Sequence, residues 1–296
     1  MGVKEDEEEG KAITLEYRGK IAIITFELES KLNALTQALY YRLGVLLREV
    51  AGRTDVFVTV LTAKGRYFSA GADVSISRDL PPDTDIRRHW LEHFAARNLD
   101  LTRTFAQHPK ILVTALNGPV IGLTAGLIAL SDFIYATPDA FLLTPFSSMG
   151  LVAEGGASRS FVQRMGVTKA NEALLMSKRI SAREMLEVGF VNRIFEPEVG
   201  AAETTAAAAA DKAWFLERVL KEVRENLVSD SSASGDEERL NGESLLRIKD
   251  LIRKPEREAL ESVNVAEVMS GLEMFAKGAP QREFMRLQSG QKRHKL

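Results

Sequence analysis

The residues of this 296-residue chain whose types and spacing suggest chemistry sit in three glycine-bearing loops. Gly65-Arg-Tyr-Phe-Ser-Ala-Gly-Ala-Asp73 and Asn117-Gly-Pro-Val-Ile-Gly-Leu-Thr-Ala-Gly126 each follow an apolar run and precede a helix-like stretch. The order strand, glycine turn, helix start leaves backbone N–H groups free, where they can point at a negatively charged oxygen. Two such loops could make an oxyanion hole. A third, Gly150-Leu-Val-Ala-Glu-Gly-Gly-Ala-Ser158, places one acid, Glu154, among glycines and apolar residues, where it is the candidate base for proton transfer. The combination reads as enolate chemistry rather than hydrolysis. Neither loop is spaced as a GxGxxG dinucleotide fingerprint, and no Gly-Lys-Ser or Gly-Lys-Thr phosphate loop occurs.

The elements that must position these loops alternate. β-branched clusters over 13–17 and 21–26, around Arg18-Gly19-Lys20, predict a hairpin. Leu35, Leu39, Leu43, Leu46, Leu47 and Val50 fall at helical spacing and predict a helix over 35–51. Strands are predicted over 56–62, 111–116, 133–136 and 141–144, with helices over 86–108 and 123–130 between them. After Gly156 the pattern turns helical, over 158–165, 169–176, 182–188 and about 202–227. Ser229 to Glu238 reads as a polar loop. Two more helices, over 240–252 and 255–276, close the chain. Strand and helix alternation predicts an α/β core.

The 39 basic and 41 acidic residues nearly cancel, so no nucleic-acid surface is expected. The absence of cysteine excludes disulfide scaffolds, thiolate metal sites and thiol nucleophiles. No apolar run approaches the roughly 20 residues of a bilayer span. Residues 1–10 read as an acidic flexible N-terminus. The final tripeptide, His294-Lys295-Leu296, resembles the Ser-Lys-Leu peroxisomal address.

Phe68-Ser-Ala-Gly-Ala-Asp73, the loop 117–126, Ser131-Asp132 and the helical tail together resemble the crotonase (enoyl-CoA hydratase/isomerase) superfamily, from about residue 13 to 277. Within it, Thr144-Pro-Phe146 followed by Gly150-Leu-Val-Ala-Glu-Gly-Gly156 is similar to the peroxisomal Δ3,Δ2-enoyl-CoA isomerases. The resemblance implies a crotonase-type spiral of ββα turns over 11–200, a C-terminal helical trimerisation region over 201–290 and a targeting-like tail over 291–296. It further implies an acyl-CoA substrate, a homo-oligomer (trimer or dimer of trimers), a peroxisomal import receptor as partner, location in the peroxisome, and no metal or other cofactor.

Carried onto this sequence, the resemblance makes the N–H groups of Ala72 and Leu123 the oxyanion donors and Glu154 the base that moves a proton from C2 to C4. The 3-double bond of an enoyl-CoA, cis or trans, thereby becomes trans-2, a step in β-oxidation of unsaturated fatty acids. Asn98 is similar to an asparagine near the active site of related isomerases. Substrate is expected on Ser69, Ala70, Gly71, Ala72, Asp73, Gly122 and Leu123, with Asn33-Ala-Leu35 resembling part of the adenine site and Lys31 or Lys277 as candidates for the CoA phosphates. Hydratases of the superfamily carry an acid where this chain has Gly126 and a second where it has Thr144-Pro145-Phe146, so water addition is disfavoured. Dienoyl-CoA isomerases also use acids at those sites, and the same absence argues against them. The alternatives are another crotonase reaction, hydration or thioester hydrolysis, and a non-catalytic binding member of the fold. His89 and His93 have the spacing of two metal ligands but lack a third, and read as structural. His108 reads as a cation at a helix end, Asp73 as a helix cap, Asp132 as a helix end, and the stripe Phe215, Leu216, Val219 and Val223 as trimer or core packing.

Overall fold

The computed structural model describes residues 11–73, 81–197, 212–228 and 240–292. The readings for 1–10, for 229–238 and for His294-Lys295-Leu296, and the first part of the helix read over 202–227, lie outside the described residues. The hairpin forms as β1 (Ile13–Arg18) and β2 (Ile21–Phe26), antiparallel across a turn that holds Gly19 at φ +60°. Next comes α1 (Gln37–Ala51), whose first turn is closed by the Thr36 hydroxyl accepting from Leu39 N–H. This side-chain cap satisfies a donor with no partner inside the helix. β3 (Val58–Ala63) then pairs parallel to β2.

The helix read over 86–108 is a rod in three parts: α2 (Ile86–Trp90), a π turn (Leu91–Ala95) and α3 (Ala96–Ala106). After it come β4 (Ile111–Leu116), β5 (Val120–Ile121), α4 (Leu123–Ile128), β6 (Phe133–Ala136) and β7 (Phe141–Leu143). The chain continues with α5 (Ala157–Leu174), β8 (Ile180–Ser181), α6 (Ala182–Glu187) and β9 (Arg193–Ile194). It ends in α7 (Ala213–Leu227), α8 (Gly242–Ala276) and α9 (Ala279–Gln288). No described helix is long and apolar enough to cross a membrane.

Six strands form one sheet in the order β1-β2-β3-β4-β6-β9, parallel except at β1 and β2, and β5-β7-β8 form a second. Alternate side chains serve opposite faces, as a pleated strand requires. Ile24, Phe26 and Leu61 enter the main core with α1 and α5, while Ile23, Val58 and Val60 face Phe215, Val219, Leu220 and Val223 of α7. The α7 stripe is therefore core packing within one chain. Phe215, Val219 and Val223 are fully buried, each contributing roughly 1.5–3 kcal/mol.

One helix reading changes. The helices read over 240–252 and 255–276 are one, α8, running through Pro255. Proline removes one N–H, and the carbonyl it would have bonded, that of Leu251, belongs to a residue 72% exposed, so water can take that carbonyl. The helices read over 158–165 and 169–176 hold as two segments of α5, divided at Gly166, whose φ of +70° and ψ of +159° are non-helical.

Asp132 does more than end a helix. It accepts from Leu112 N–H (2.8 Å), Lys249 (2.7 Å) and Arg253 (2.9 Å), pinning α8 to the sheet. Burial pushes its carboxyl up, but the two cations hold it below the usual range. Removing one partner of such a buried cluster costs about 3–5 kcal/mol. His108, expected as a cation, is buried and faces the Thr59 hydroxyl at 2.8 Å. Burial first, then Lys249, drops its pKa to about 3, so it is neutral.

Candidate active site

The first two glycine loops lie side by side. Phe68 and Ser69 N–H donate to Pro119 O (3.0 and 3.2 Å), and Ile121 N–H donates to Ser69 O (2.9 Å). Leu35 straddles Ala72: Leu35 N–H donates to Gly71 O (2.8 Å) and Asp73 N–H donates to Leu35 O (2.9 Å). In a parallel pairing of this kind the residue between, Ala72, turns its own N–H the other way. Among the described residues no backbone acceptor takes that N–H. Leu123 opens α4, so its N–H is one of the donors a helix start leaves unpaired.

Only glycines allow the two loops to meet. A Cβ on Gly71, at φ +86°, would lie 2.8 Å from Ile121 O, and Gly122 adopts φ +63°, ψ −135°, a conformation that L side chains rarely enter. Beneath the contact, the Ser69 hydroxyl donates to Asn33 O (2.8 Å), lies 3.2 Å from the Thr124 hydroxyl and accepts from Gly71 N–H (3.1 Å). Tyr40 OH reaches Thr124 at 2.9 Å. Fully buried Ser69, expected on the substrate, is thus a tie between loops and is not among the cavity-lining residues. Asn33, also expected near the ligand, is equally buried, with its amide donating to Lys64 O (2.9 Å) and Tyr67 O (2.8 Å).

The third loop brings Glu154 to the same cavity as Ala72 and Leu123. Its side chain is buried at 8% exposure, with one carboxylate oxygen accepting from Asn98 Nδ2 of α3 at 3.1 Å. Thr102, one turn on, donates to Asn98 Oδ1 at 3.4 Å. Burial above all pushes the Glu154 pKa up to about 7; Asn98 opposes this, and the charge of Glu267 adds to it.

The missing acid at position 126 has a steric reason. A Cβ there would lie 2.5 Å from the backbone O of Glu154, because the turn that carries Glu154 crosses directly over α4. The region of the second hydratase acid holds Thr144, which donates to Ala173 O (3.1 Å), then Pro145 and Phe146.

Because Glu154 ionises less readily in the folded than in the unfolded state, its charge destabilises the fold. That penalty is absent below its ordinary value of 4.5, grows with pH and is complete above about 7. Glu154→Gln is therefore expected to raise thermal stability at about pH 8, by as much as about 3 kcal/mol, and to leave it unchanged at about pH 4. Equal unfolding temperatures for the variant and the parent at the higher pH would contradict this burial cost.

The cavity measures about 1000 Å³. Ala70, Gly71, Ala72, Asp73, Gly122 and Leu123, all expected on the substrate, line it. Asp73 also pairs with Lys31 at 3.3 Å, and the helix it was expected to cap would fall in 74–80, outside the described residues. Lys31 is 56% exposed beside that pair, whereas Lys277 lies at the C-terminus of α8 near Glu273 (3.9 Å). His89 and His93 stack with ring centroids 4.2 Å apart on the cavity wall, and among the described residues no cluster of three metal-ligating side chains forms. Sequence reasoning missed the aromatic wall of Trp90, Phe94 and Phe275, and Phe284 and Leu287 of α9, all of which line the cavity. The amphipathic spacing of Phe284 and Leu287 was the available signal.

A model of the enoyl-CoA hydratase/isomerase family matches residues 16–263. The chain is 55% identical to a Delta(3,5)-Delta(2,4)-dienoyl-CoA isomerase of Pyricularia oryzae, over 96% of this chain and 98% of that protein. It is 32% identical to the 3,2-trans-enoyl-CoA isomerase of Saccharomyces cerevisiae, over 97% and 98% respectively. The crystal structure of an enoyl-CoA hydratase/isomerase from Pseudoalteromonas atlantica T6c shares the fold, with TM-score 0.76 and 22% identity over 97% of this chain and all of that one.

Proposed function

The chain belongs to the enoyl-CoA hydratase/isomerase family, and from that we propose that it is an enoyl-CoA double-bond isomerase converting a cis or trans 3-enoyl-CoA to the trans-2 isomer. The observation that carries the reading is Glu154: one buried carboxylate, with pKa about 7, facing the cavity lined by both glycine loops. The thioester oxygen accepts from the N–H groups of Ala72 and Leu123. Glu154 takes a C2 proton, and the electron pair delocalises onto that oxygen and across the 3-double bond. The protonated Glu154 returns the proton to C4, the new double bond lies between C2 and C3, and the carboxylate is regenerated. Asn98 holds the carboxylate oxygen that it bonds. Pre-set donors in a site closed to water stabilise the enolate most, because they need no reorganisation as charge develops.

The Pyricularia relative supports a second reading, 3,5-dienoyl-CoA to 2,4-dienoyl-CoA. The two readings differ in proton travel. C2 and C4 lie about 2.5 Å apart, a span for one carboxylate, whereas C2 and C6 lie about 5 Å apart and call for a second acid. Among the described residues the other cavity-lining acids, Asp73 and Asp100, are each paired, with Lys31 and Arg48. Single acidity therefore favours the 3-to-2 shift.

Parallel assays with 3-enoyl-CoA and 3,5-dienoyl-CoA decide between them. Faster turnover of the 3-enoyl substrate is expected, and turnover of the dienoyl substrate alone would overturn the proposal. The base must be ionised, so kcat/KM should fall as pH drops below about 7. A rate independent of pH between about 5 and 8 would argue against Glu154 as the base. A peroxisomal setting is part of the proposal, and a fluorescent fusion retained in the cytosol would count against it.

A further inference from the structure

The turn that carries Glu154 has no side chain of its own to hold it. Gly155 and Gly156 follow at φ +70° and +76°, and α5 begins with a glycine N-cap that offers no side-chain acceptor. The acceptor comes instead from α8, more than a hundred residues away. Glu267, buried at 6% exposure, accepts from Gly156 N–H at 2.8 Å on one oxygen, and from Ser158 N–H at 2.8 Å and Ser158 OH at 2.5 Å on the other. A carboxyl that receives three donors has no need of its own proton, so the geometry calls for the anion. α8 also packs on the turn: a Cβ on Gly156 would lie 2.7 Å from Leu260 Cδ1.

We propose that Glu267 is a positioning residue for the reaction: as a buried anion it caps α5 from α8, fixes the turn that aims Glu154 into the cavity, and acts on Glu154 by its charge. The inference rests on Glu154 being the base. Glu267 is not among the residues that line the cavity and works through Gly156 and Ser158. The groups that face Glu154 are Asn98 from α3, Tyr40 from α1 and Glu267 from α8. Of these only Glu267 is a carboxylate, and its charge, like burial, pushes Glu154 upward. Burial holds Glu267 itself above the usual carboxylate range, and its three donors offset this only in part.

The test measures kcat, KM and the pH profile of kcat/KM for a 3-enoyl-CoA with the full chain and the Glu267→Gln, Ser158→Ala and Glu154→Gln variants. Glu267→Gln should lower kcat by about 10- to 100-fold with KM nearly constant, because small displacements of a catalytic group are costly. Its acidic limb should move to lower pH, since a negative charge near the base is gone. Ser158→Ala removes one of three donors, leaves the anion less neutralised and should move the limb the opposite way, with a loss in kcat of a few-fold. That variant decides the matter if Glu267→Gln does not fold. A loss of kcat with an unmoved limb in both variants would make Glu267 a stability residue only and overturn the proposal. Wild-type kinetics in both, with Glu154→Gln inactive, would sink this inference alone. Full turnover by Glu154→Gln would remove the base itself, and the positioning role with it.

Discussion

Glu154→Gln should lower kcat for a 3-enoyl-CoA by at least about 10³-fold, within the range that general acid–base groups contribute, while leaving folding and acyl-CoA affinity in place. The amide keeps the volume of the side chain and can still offer an oxygen to Asn98 Nδ2, so the turn should not rearrange. On the proposed mechanism substrate binding rests on the loop N–H groups and the apolar wall, which the substitution leaves untouched. What disappears is, among the described residues, the one cavity-lining carboxylate that is both buried and without a cation partner. Steady-state turnover beside titration calorimetry with the 2-enoyl-CoA product separates chemistry from binding. Retained activity within about threefold of the parent would end the mechanism.

The second large effect belongs to a residue with no functional group. Gly71→Ala should reduce kcat by about 10²- to 10³-fold, the cost of losing one oxyanion donor. At φ +86° the new methyl group both strains the backbone and meets Ile121 O at 2.8 Å, and neither backbone can retreat without opening the contact between the loops. The Ala72 N–H, one residue on, moves with it. Strain of this kind costs about 1–3 kcal/mol, so stability should fall as well. Gly19→Ala is the control: that glycine also has positive φ, +60°, but its Cβ would meet nothing within 4 Å and it lies in the β1–β2 turn. It should share part of the stability loss and none of the kinetic loss. Equal kcat for Gly71→Ala and the parent would remove the first loop from the oxyanion site.

Much of this was legible from local pattern. Strands 111–116 and 133–136 match β4 and β6 residue for residue, since runs of β-branched and apolar residues bounded by turns have one good conformation. The helix over 86–108 was legible in extent, but the π turn inside it, where Trp90 and Phe94 pack against Phe275 from α8, left no mark in the local apolar spacing. The break expected before Pro255 did not occur, because solvent can satisfy the carbonyl that proline leaves unpaired. His108 looked like a cation and is neutral, because only tertiary burial reveals the cost of charging it.

The candidate site divides along the same line. Composition and spacing alone determined the α/β class, the two glycine loops, the lone acid Glu154 and the lack of an acid at 126, since these depend on residue identity and short-range order. Tertiary structure alone decided that Ser69 ties the loops and does not line the cavity, that Glu154 O occupies the space a side chain at 126 would need, and that Glu267 of α8 caps the turn that carries Glu154. Each of these is a contact between segments distant in the chain. Steric exclusion, burial and a carboxylate's choice of donors act through space, and a one-dimensional pattern does not carry those distances.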